Sequence, residues 1–169
     1  MYSLSIKSGI KKILPEMFNL HTRRSITELV VPEGVEIIGE KCFQSFHQLK
    51  RIYLPETLLK IENHAFYDCS NLNEISLPNS LIEIEIGSFM YCNHLKNIRI
   101  PHSVIRIGQR CFDGCFRLEN VEWSKNCPIV ESGTFAFCRN LQSIEFPEGV
   151  VSIHIYSFNT CTSLKKCIF

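Results

Sequence analysis

The sequence predicts a mainly β repeat solenoid, and three observations carry that prediction. Prolines close strand-like runs at a fixed interval. Leu54-Pro55, Leu77-Pro78 and Ile100-Pro101 stand 23 residues apart, and the same ruler reaches Pro32 before them and Pro147 after them. A phenylalanine recurs at one point of every unit, as Phe43, Phe66, Phe89, Phe112, Phe135 and Phe158. A leucine follows it six residues later each time, as Leu49, Leu72, Leu95, Leu118, Leu141 and Leu164. Six tandem units with no insertion therefore divide residues 32–169 into 32–54, 55–77, 78–100, 101–123, 124–146 and 147–169.

The unit reads Pro-x-x-(Val/Leu)-x-x-Ile-x4-Phe-x-x-Cys-x-x-Leu-x-x-Ile-x-Leu. No helix or strand period holds through all of it. Instead, every coil turns the same residues inward, and stacking builds a continuous core that no single unit has. After the proline comes a short strand around Ile61, Ile84 and Ile107, giving one parallel ladder. Leu59, Ile82, Ile105 and Val151 lie two residues before Ile61, Ile84, Ile107 and Ile153. In a regular strand that spacing puts both rows on one face, so the first row is expected inside as extra core. Turned outward, it would be a patch meaningful for association. The neighbouring row Lys60, Glu83 and Arg106 alternates in sign and is expected to form a weak surface ion-pair ladder.

The Phe-x-x-Cys-x-x-Leu stretch has an i, i+3 rhythm and reads as a helical or 3₁₀ turn. The closing Leu-x-x-Ile-x-Leu, as in Leu72-Asn-Glu-Ile-Ser-Leu77, reads as a strand with a β-branched centre. The next proline cannot donate to a ladder and ends it. These longer strands form a second parallel ladder. At a spacing of about 4.8 Å, six coils make a slab on the order of 30 Å long.

Residues 1–31 read as a degenerate first coil that caps the array. Ile10-Lys-Lys-Ile13 followed by Phe18 copies the spacing of Val35-Glu-Ile-Ile38 and Phe43, and Ile26-Thr-Glu-Leu29-Val-Val31 copies the long strand. At the other end the chain stops at Phe169, in the closing column of a strand. An open edge there would invite pairing. The expectation is a fragment of a longer array, or self-association through that uncapped edge.

Composition narrows the function classes. A net charge of +1 over 169 residues lacks the concentrated basic face that a nucleic-acid binder needs. The charge is +3 over residues 1–31 and −2 over the rest, too weak a leader to imply a membrane surface. No apolar run approaches the roughly 18 residues that cross a bilayer, and no signal peptide is visible at Met1–Ile10. The nine cysteines fall on repeat columns expected to be buried. Cys69, Cys92, Cys115, Cys138 and Cys161 share one column, and free cysteine fits a tight interior as a small hydrophobe. A disulfide ladder between coils is the rival, since coil spacing is near the permitted Cα separation, but side chains in one column point the same way. A zinc site at Cys111-x3-Cys115 would need further converging ligands, and the columns supply none.

Enzymatic and cofactor signatures are absent from the pattern. His21, His47, His64, His94, His102 and His154 mostly occupy different offsets, and no Ser-His-Asp or Cys-His spacing emerges. The 8 glycines are scattered, with no phosphate loop among them. No catalytic residue, cofactor or metal is therefore predicted. In the fifth unit Ser124 replaces the proline, Cys127-Pro128 follows, and Trp123 stands in the closing column, where it reads as core bulk.

The exposed positions of the long strands are the candidate partner-binding residues. Tyr53, Ser76, Arg99, Glu122 and Glu145 lie between buried neighbours, and Arg51, Glu74, Asn97, Asn120 and Ser143 stand two residues earlier. They pave one sheet face in rows, which is either a solvated surface or a site for a protein ligand. Arg51, Tyr53 and Arg99 lead, because Arg and Tyr are enriched at interface hot spots.

These columns resemble the BspA-like, or Treponema pallidum type, leucine-rich-repeat family. The unit that carries the likeness best runs Leu54-Pro-Glu-Thr-Leu58-Leu-Lys-Ile61-Glu-Asn-His-Ala65-Phe66-Tyr-Asp-Cys69-Ser-Asn-Leu72-Asn-Glu-Ile75. The likeness covers 32–169 fully and 9–31 loosely. It departs at Leu59, where the family usually has a small polar residue. The resemblance implies a leucine-rich-repeat solenoid and a surface-associated or secreted protein of adhesion type, binding host or matrix proteins or glycans. The absence of a visible signal peptide implies instead a cytoplasmic interaction scaffold of the same fold.

Overall fold

A computed structural model describes the backbone at residues 2–3 and the chain from 9 to 168. Phe169, on which the open-edge expectation rests, lies outside the described residues. The chain winds through about seven stacked coils with little helix, a 3₁₀ turn at Pro15–Met17 and an α-helix at Leu20–Ser25, both in the leader. Asn19 caps that helix, accepting the Thr22 N–H through Oδ1 at 2.9 Å.

Each coil lays down a short and a long strand. The short strands run from Lys12–Ile13 through Lys60–Ile61 and Glu83–Ile84 to Ser152–Ile153, and the long ones from Glu28–Val30 through Arg51–Tyr53 to Lys166–Ile168. Pairing between full units is parallel and one unit out of step, Arg51 opposite Glu74 and Ile61 opposite Ile84. The leader joins both ladders through Lys12–Ile13 and Glu28–Val30.

Between the strands lies a third ladder that is not made of strands. Two residues per coil take positive φ: Lys41 and Ser45, His64 and Asp68, Gly87 and Tyr91, Arg110 and Gly114, Gly133 and Phe137, Tyr156 and Thr160. They sit third in i→i+3 turns such as Glu62–Ala65 and Phe66–Cys69, the place where a type II turn requires φ above zero. These left-handed residues stop the segment short of a regular 3₁₀ helix. They also aim alternate N–H groups along the solenoid axis. His64, Phe66 and Asp68 donate to Ile86, Ser88 and Met90 of the next coil, and the same triplet of bonds recurs at every junction between full units.

That ladder holds the phenylalanines in a stack. Phe66 and Phe89 lie 5.1 Å apart at 3°, Phe89 and Phe112 5.6 Å at 8°, and Phe112 and Phe135 5.7 Å at 8°. Phe18 of the leader starts the column, tilted 55° on Phe43. The cysteines contribute more than bulk. Cys69, Cys92, Cys115, Cys138 and Cys161 each donate the thiol to the carbonyl of the preceding coil's phenylalanine, at 3.0–3.3 Å. A valine or alanine there would leave that second acceptor site unused. In the first unit Phe46 takes the column and packs edge-on against Phe18 and Phe43. All nine thiols are free; Cys161 and Cys167 are half-buried and the rest buried. Burial pushes every one of them up, Cys127 and Cys161 to about 11.

The irregular fifth unit is compensated locally. Thr57 and Ser80 donate to the Val35 and Leu58 carbonyls of the preceding coil. Ser124 does the same for Val104 at 2.7 Å from the proline position. Trp123 packs on Phe135 and Phe146 and donates Nε1–H to the Cys127 carbonyl at 2.9 Å.

Pro128 is not compensated. Leu59, Ile82, Ile105 and Val151 each donate their N–H to the residue one unit back. Pro128 occupies that position and has no N–H. The short ladder accordingly breaks there, into a five-stranded piece ending at Arg106–Ile107 and a pair starting at Ile129–Val130. The Glu131 N–H also lacks the bond to Ile107 that Gly108 makes to Ile84 and His154 makes to Val130.

The row Leu59, Ile82, Ile105 and Val151 is not core, contrary to the strand-spacing argument. These residues are 40%, 43%, 56% and 79% exposed. The reason is local. Leu58, Leu81 and Val104 close i→i+3 turns on Pro55, Pro78 and Pro101 and are themselves the inward residues. The strand that follows has two residues, so alternation does not reach back to Leu59. The outer ion row forms as expected: Lys60 pairs with Glu83 at 3.0 Å and Arg106 with the same Glu83 at 2.8 Å.

Two predictions follow from this packing. In native-state hydrogen exchange the Glu131 amide should exchange faster than those of Gly108 and His154, and Pro128→Val should protect it. The stability change should stay within about 1 kcal/mol, because one hydrogen bond gained is offset by a freer unfolded chain. Protection of Glu131 in the unaltered protein would refute the proline explanation. The second concerns Asp113, which is buried with Oδ1 unpartnered among the described residues. Burial pushes its carboxyl above the ordinary 3.8, against the pull of Arg110. A raised carboxyl favours the fold below its unfolded value, and that advantage is lost as pH rises through the folded value. Asp113→Asn should therefore stabilise by on the order of 1 kcal/mol at pH 7 and by almost nothing near pH 3. Urea unfolding at the two pH values checks it; an equal effect at both would reject it.

Candidate functional site

The long strands place the ten predicted residues on one face. The strands turn their centres inward, Ile52, Ile98 and Ile144 being 2–3% exposed and Ile75 and Val121 partly buried against the core, so the residues either side point away from it. Arg51, Tyr53, Glu74, Ser76, Asn97, Arg99, Asn120, Glu122, Ser143 and Glu145 are all exposed.

Stacking one unit apart brings several of them together. Arg51 bridges Glu28 of the leader at 3.1 Å and Glu74 at 2.8 Å, and these carboxylates push its guanidinium pKa up. Arg99 meets Glu122 at 3.2 Å, and Asn120 donates to Asn97 at 2.7 Å. Both partners of the Arg99–Glu122 pair are about three-quarters exposed. Such a pair is worth roughly 0–1 kcal/mol, so a ligand displaces it at little cost. Ser143 and Glu145 stand apart from this cluster, opposite Lys166 and Ile168.

The long ladder is interrupted twice, between Glu74–Ile75 and Asn97–Arg99 and between Asn120–Glu122 and Ser143–Glu145. Two cavities mark the face, one along the paired strands Arg51–Tyr53 and Glu74–Ile75 and one across the first break. A cavity of about 150 Å³ lies against Arg51, Tyr53, Glu56, Glu74 and Ser76. A second, of about 280 Å³, lies against Glu56, Glu74, Ser76, Asn79 and Arg99. Both are lined by Glu56, Glu74, Ile75 and Ser76, so five of the ten predicted residues line two neighbouring cavities. Glu56 and Asn79 were not singled out from the sequence. They follow the proline of their units, and only the corner made by the turn swings them to the cavities. Glu28 was missed because it lies in the leader.

The chemistry available there is recognition: guanidinium, carboxylate, amide and hydroxyl groups around one half-exposed tyrosine ring. Elsewhere, His47 Nδ1 lies 3.3 Å from Ser70 Oγ and 3.7 Å from Asp68. Both contacts use the same ring nitrogen, whereas a triad needs the two nitrogens on different partners. Among the described residues no group of three or more His, Cys, Asp or Glu side chains gathers as metal ligands would. No helix among them is long and apolar enough to cross a membrane.

Known proteins place the chain. The family model described as a BspA type leucine rich repeat region matches in 6 copies over residues 11–127 and 83–169. No curated protein matches significantly. Among solved structures, a leucine-rich repeat protein from Bacteroides ovatus ATCC 8483 is similar at 33% identity and TM-score 0.83, over 86% of this chain and 38% of its own. The chain thus spans well under half of that protein. The T. pallidum leucine rich repeat protein is similar at 30% identity and TM-score 0.87, over 96% of this chain and 77% of its own. A leucine rich cell surface protein of Faecalibacterium prausnitzii A2-165 shares the fold at 20% identity and TM-score 0.55, over 88% of this chain and 61% of its own. With the matched repeats spanning residues 11 to 169 and the columns of phenylalanine, cysteine and leucine in register, the chain belongs to the BspA type leucine-rich-repeat family.

Proposed function

We propose that the chain is a non-enzymatic protein-binding module that engages its partner through the long-strand face, as part of a surface-associated or secreted adhesion-type protein. The observation that carries this reading is the pair of cavities beside the first break of the long ladder. There Arg51, Tyr53, Glu74, Ser76 and Arg99 line two neighbouring concavities, the one beside Arg51 and Tyr53 floored by Ile52, Leu54 and Ile75 and the one beside Arg99 more polar. Ligand sites are concave with a few convergent polar groups, and Arg and Tyr are the residues that most often carry interface energy. Asn97, Asn120 and Glu122 extend the same face, and Ser143 and Glu145 continue it beyond the second break. The partner is a protein, such as a host or matrix protein, or a glycan; the mixed charge of the face does not suit nucleic acid.

Arrayed matrix proteins and glycans, probed with the labelled chain, test this reading. Arg51→Ala, Tyr53→Ala and Arg99→Ala together should weaken any saturable binding by at least tenfold while leaving the circular dichroism and unfolding midpoint near those of the unaltered chain. Binding unchanged in the triple variant would reject the face as the site.

A second reading rests on the nine free thiols. Reduced cysteines in this number suit a reducing compartment, where the same module would serve as an intracellular scaffold. Thiol titration of the denatured protein from its native source separates the two. Fewer than nine reactive thiols, with disulfides recovered by mass spectrometry, would eliminate the scaffold.

A further inference from the structure

We infer that the short-ladder side carries a second docking surface, a groove for one amphipathic helix of a partner protein with acidic residues on its flank. It is independent of the long-strand face. Leu59, Ile82 and Ile105 stand outward in consecutive coils, 40–56% exposed; Pro128 takes the next place, with Ile129 beside it at 36%, and Val151 resumes the row at 79%. Glu36, paired with Lys11, ends the row at the first unit. A solvated strand surface has no use for a row of stacked aliphatic side chains, and contiguous exposed apolar residues mark interaction sites.

A second feature lies in the same row. Where Pro128 interrupts the ladder, a cavity of about 300 Å³ opens against Ile105, Ile107, Cys127, Pro128 and Ile129, with Arg106 and Glu131 at its rim, the Glu131 carboxylate lying 3.2 Å from His154 Nδ1. Its floor is core, since Ile107 and Cys127 are each 1% exposed. The row therefore has a socket near one end that accepts an apolar anchor deeper than the surface allows elsewhere.

Spacing and size select the occupant. Coils repeat about every 4.8 Å. A helix presents one apolar residue per turn about every 5.4 Å, whereas a strand presents same-face residues about every 6.7 Å. Across the three intervals from Leu59 to the socket, a helix drifts by about 2 Å and a strand by about 6 Å. The strip is one side chain wide and on the order of 15 Å long. That matches a helix about 10 Å across and falls far below the roughly 800 Å² each partner gives to a stable dimer interface.

Charge sets the flank. Arg106 is 73% exposed beside the socket, and it shares its one carboxylate, Glu83, with Lys60. Its remaining N–H donors face solvent. A partner aspartate or glutamate next to the anchor residue would complete them in a charge-assisted pair.

The probe is a synthetic 18-residue helical peptide with leucines at i, i+4, i+7 and i+11 and glutamates on both flanks, followed by fluorescence anisotropy on the intact chain. Saturable binding is expected. It should weaken at least tenfold with Ile105→Glu, at least threefold with Arg106→Gln, and measurably with Pro128→Val, which closes the socket but leaves the row apolar. Arg99→Glu on the opposite face should leave it unchanged. Circular dichroism confirms that each variant is folded. Absence of saturation, equal affinity for the same peptide with lysine flanks, or indifference to Ile105→Glu would overturn the proposal. So would a dimer in sedimentation that Ile105→Glu abolishes, since the row would then be a contact between copies.

Discussion

The backbone bonds that each turn sends to the next coil are the constraint on which this structure depends. Three N–H groups per coil, spaced two residues apart, reach three carbonyls of the following coil. They can do so because two residues between the strands adopt left-handed φ, which points alternate peptide groups along the axis. Most of those residues are not glycine, and each costs on the order of 1 kcal/mol in that conformation. That cost falls at up to two positions per coil, while the bonds, the phenylalanine stack and the thiol–carbonyl contacts it positions are all gained together. A residue inserted between the two left-handed positions would misalign the triplet. The spacing of the two left-handed positions is accordingly the same in all six copies.

The strands play a smaller part than the pattern suggests. Both strand ladders are broken, the short one once and the long one twice, yet the turn ladder is complete at all the junctions between full units. The coils therefore stay in register where the strands let go, and the breaks become features of the surface. At Pro128 the break exposes the edge of the core. Between Glu74–Ile75 and Asn97–Arg99 it opens a polar cleft in the face that carries the arginines and Tyr53. A scaffold whose cohesion lies in its turns is free to vary its strands, and binding surfaces can be built there without loss of register.

Much of the fold was legible from residue spacing alone. The period, most inward columns, the two strand sites and the Lys60–Glu83–Arg106 row all follow from identical spacing in successive units. The outward position of Arg51, Tyr53 and Arg99 was legible too, because each flanks a β-branched residue in a short alternating run. The Leu59 row was misjudged from the same rule. A two-residue strand entered from a tight turn does not propagate alternation backwards, and nothing in the spacing distinguishes it from a longer one. Glu56 and Asn79 joined the candidate site only through folding, since they come from the corner after the proline, and Glu28 of the leader meets it only through its ion pair with Arg51.

The sequence by itself determined how many coils there are, which residues face inward and which residue lies above which, because a fixed period transfers each contact to the next unit unchanged. Only the tertiary structure decided where the ladders part, which aliphatic row meets solvent and which carboxylate each arginine shares. Those outcomes depend on how a single departure, such as a missing N–H at Pro128, is absorbed by neighbouring coils. A repeating pattern specifies what every unit has in common; the differences between units acquire a meaning only when the units are stacked.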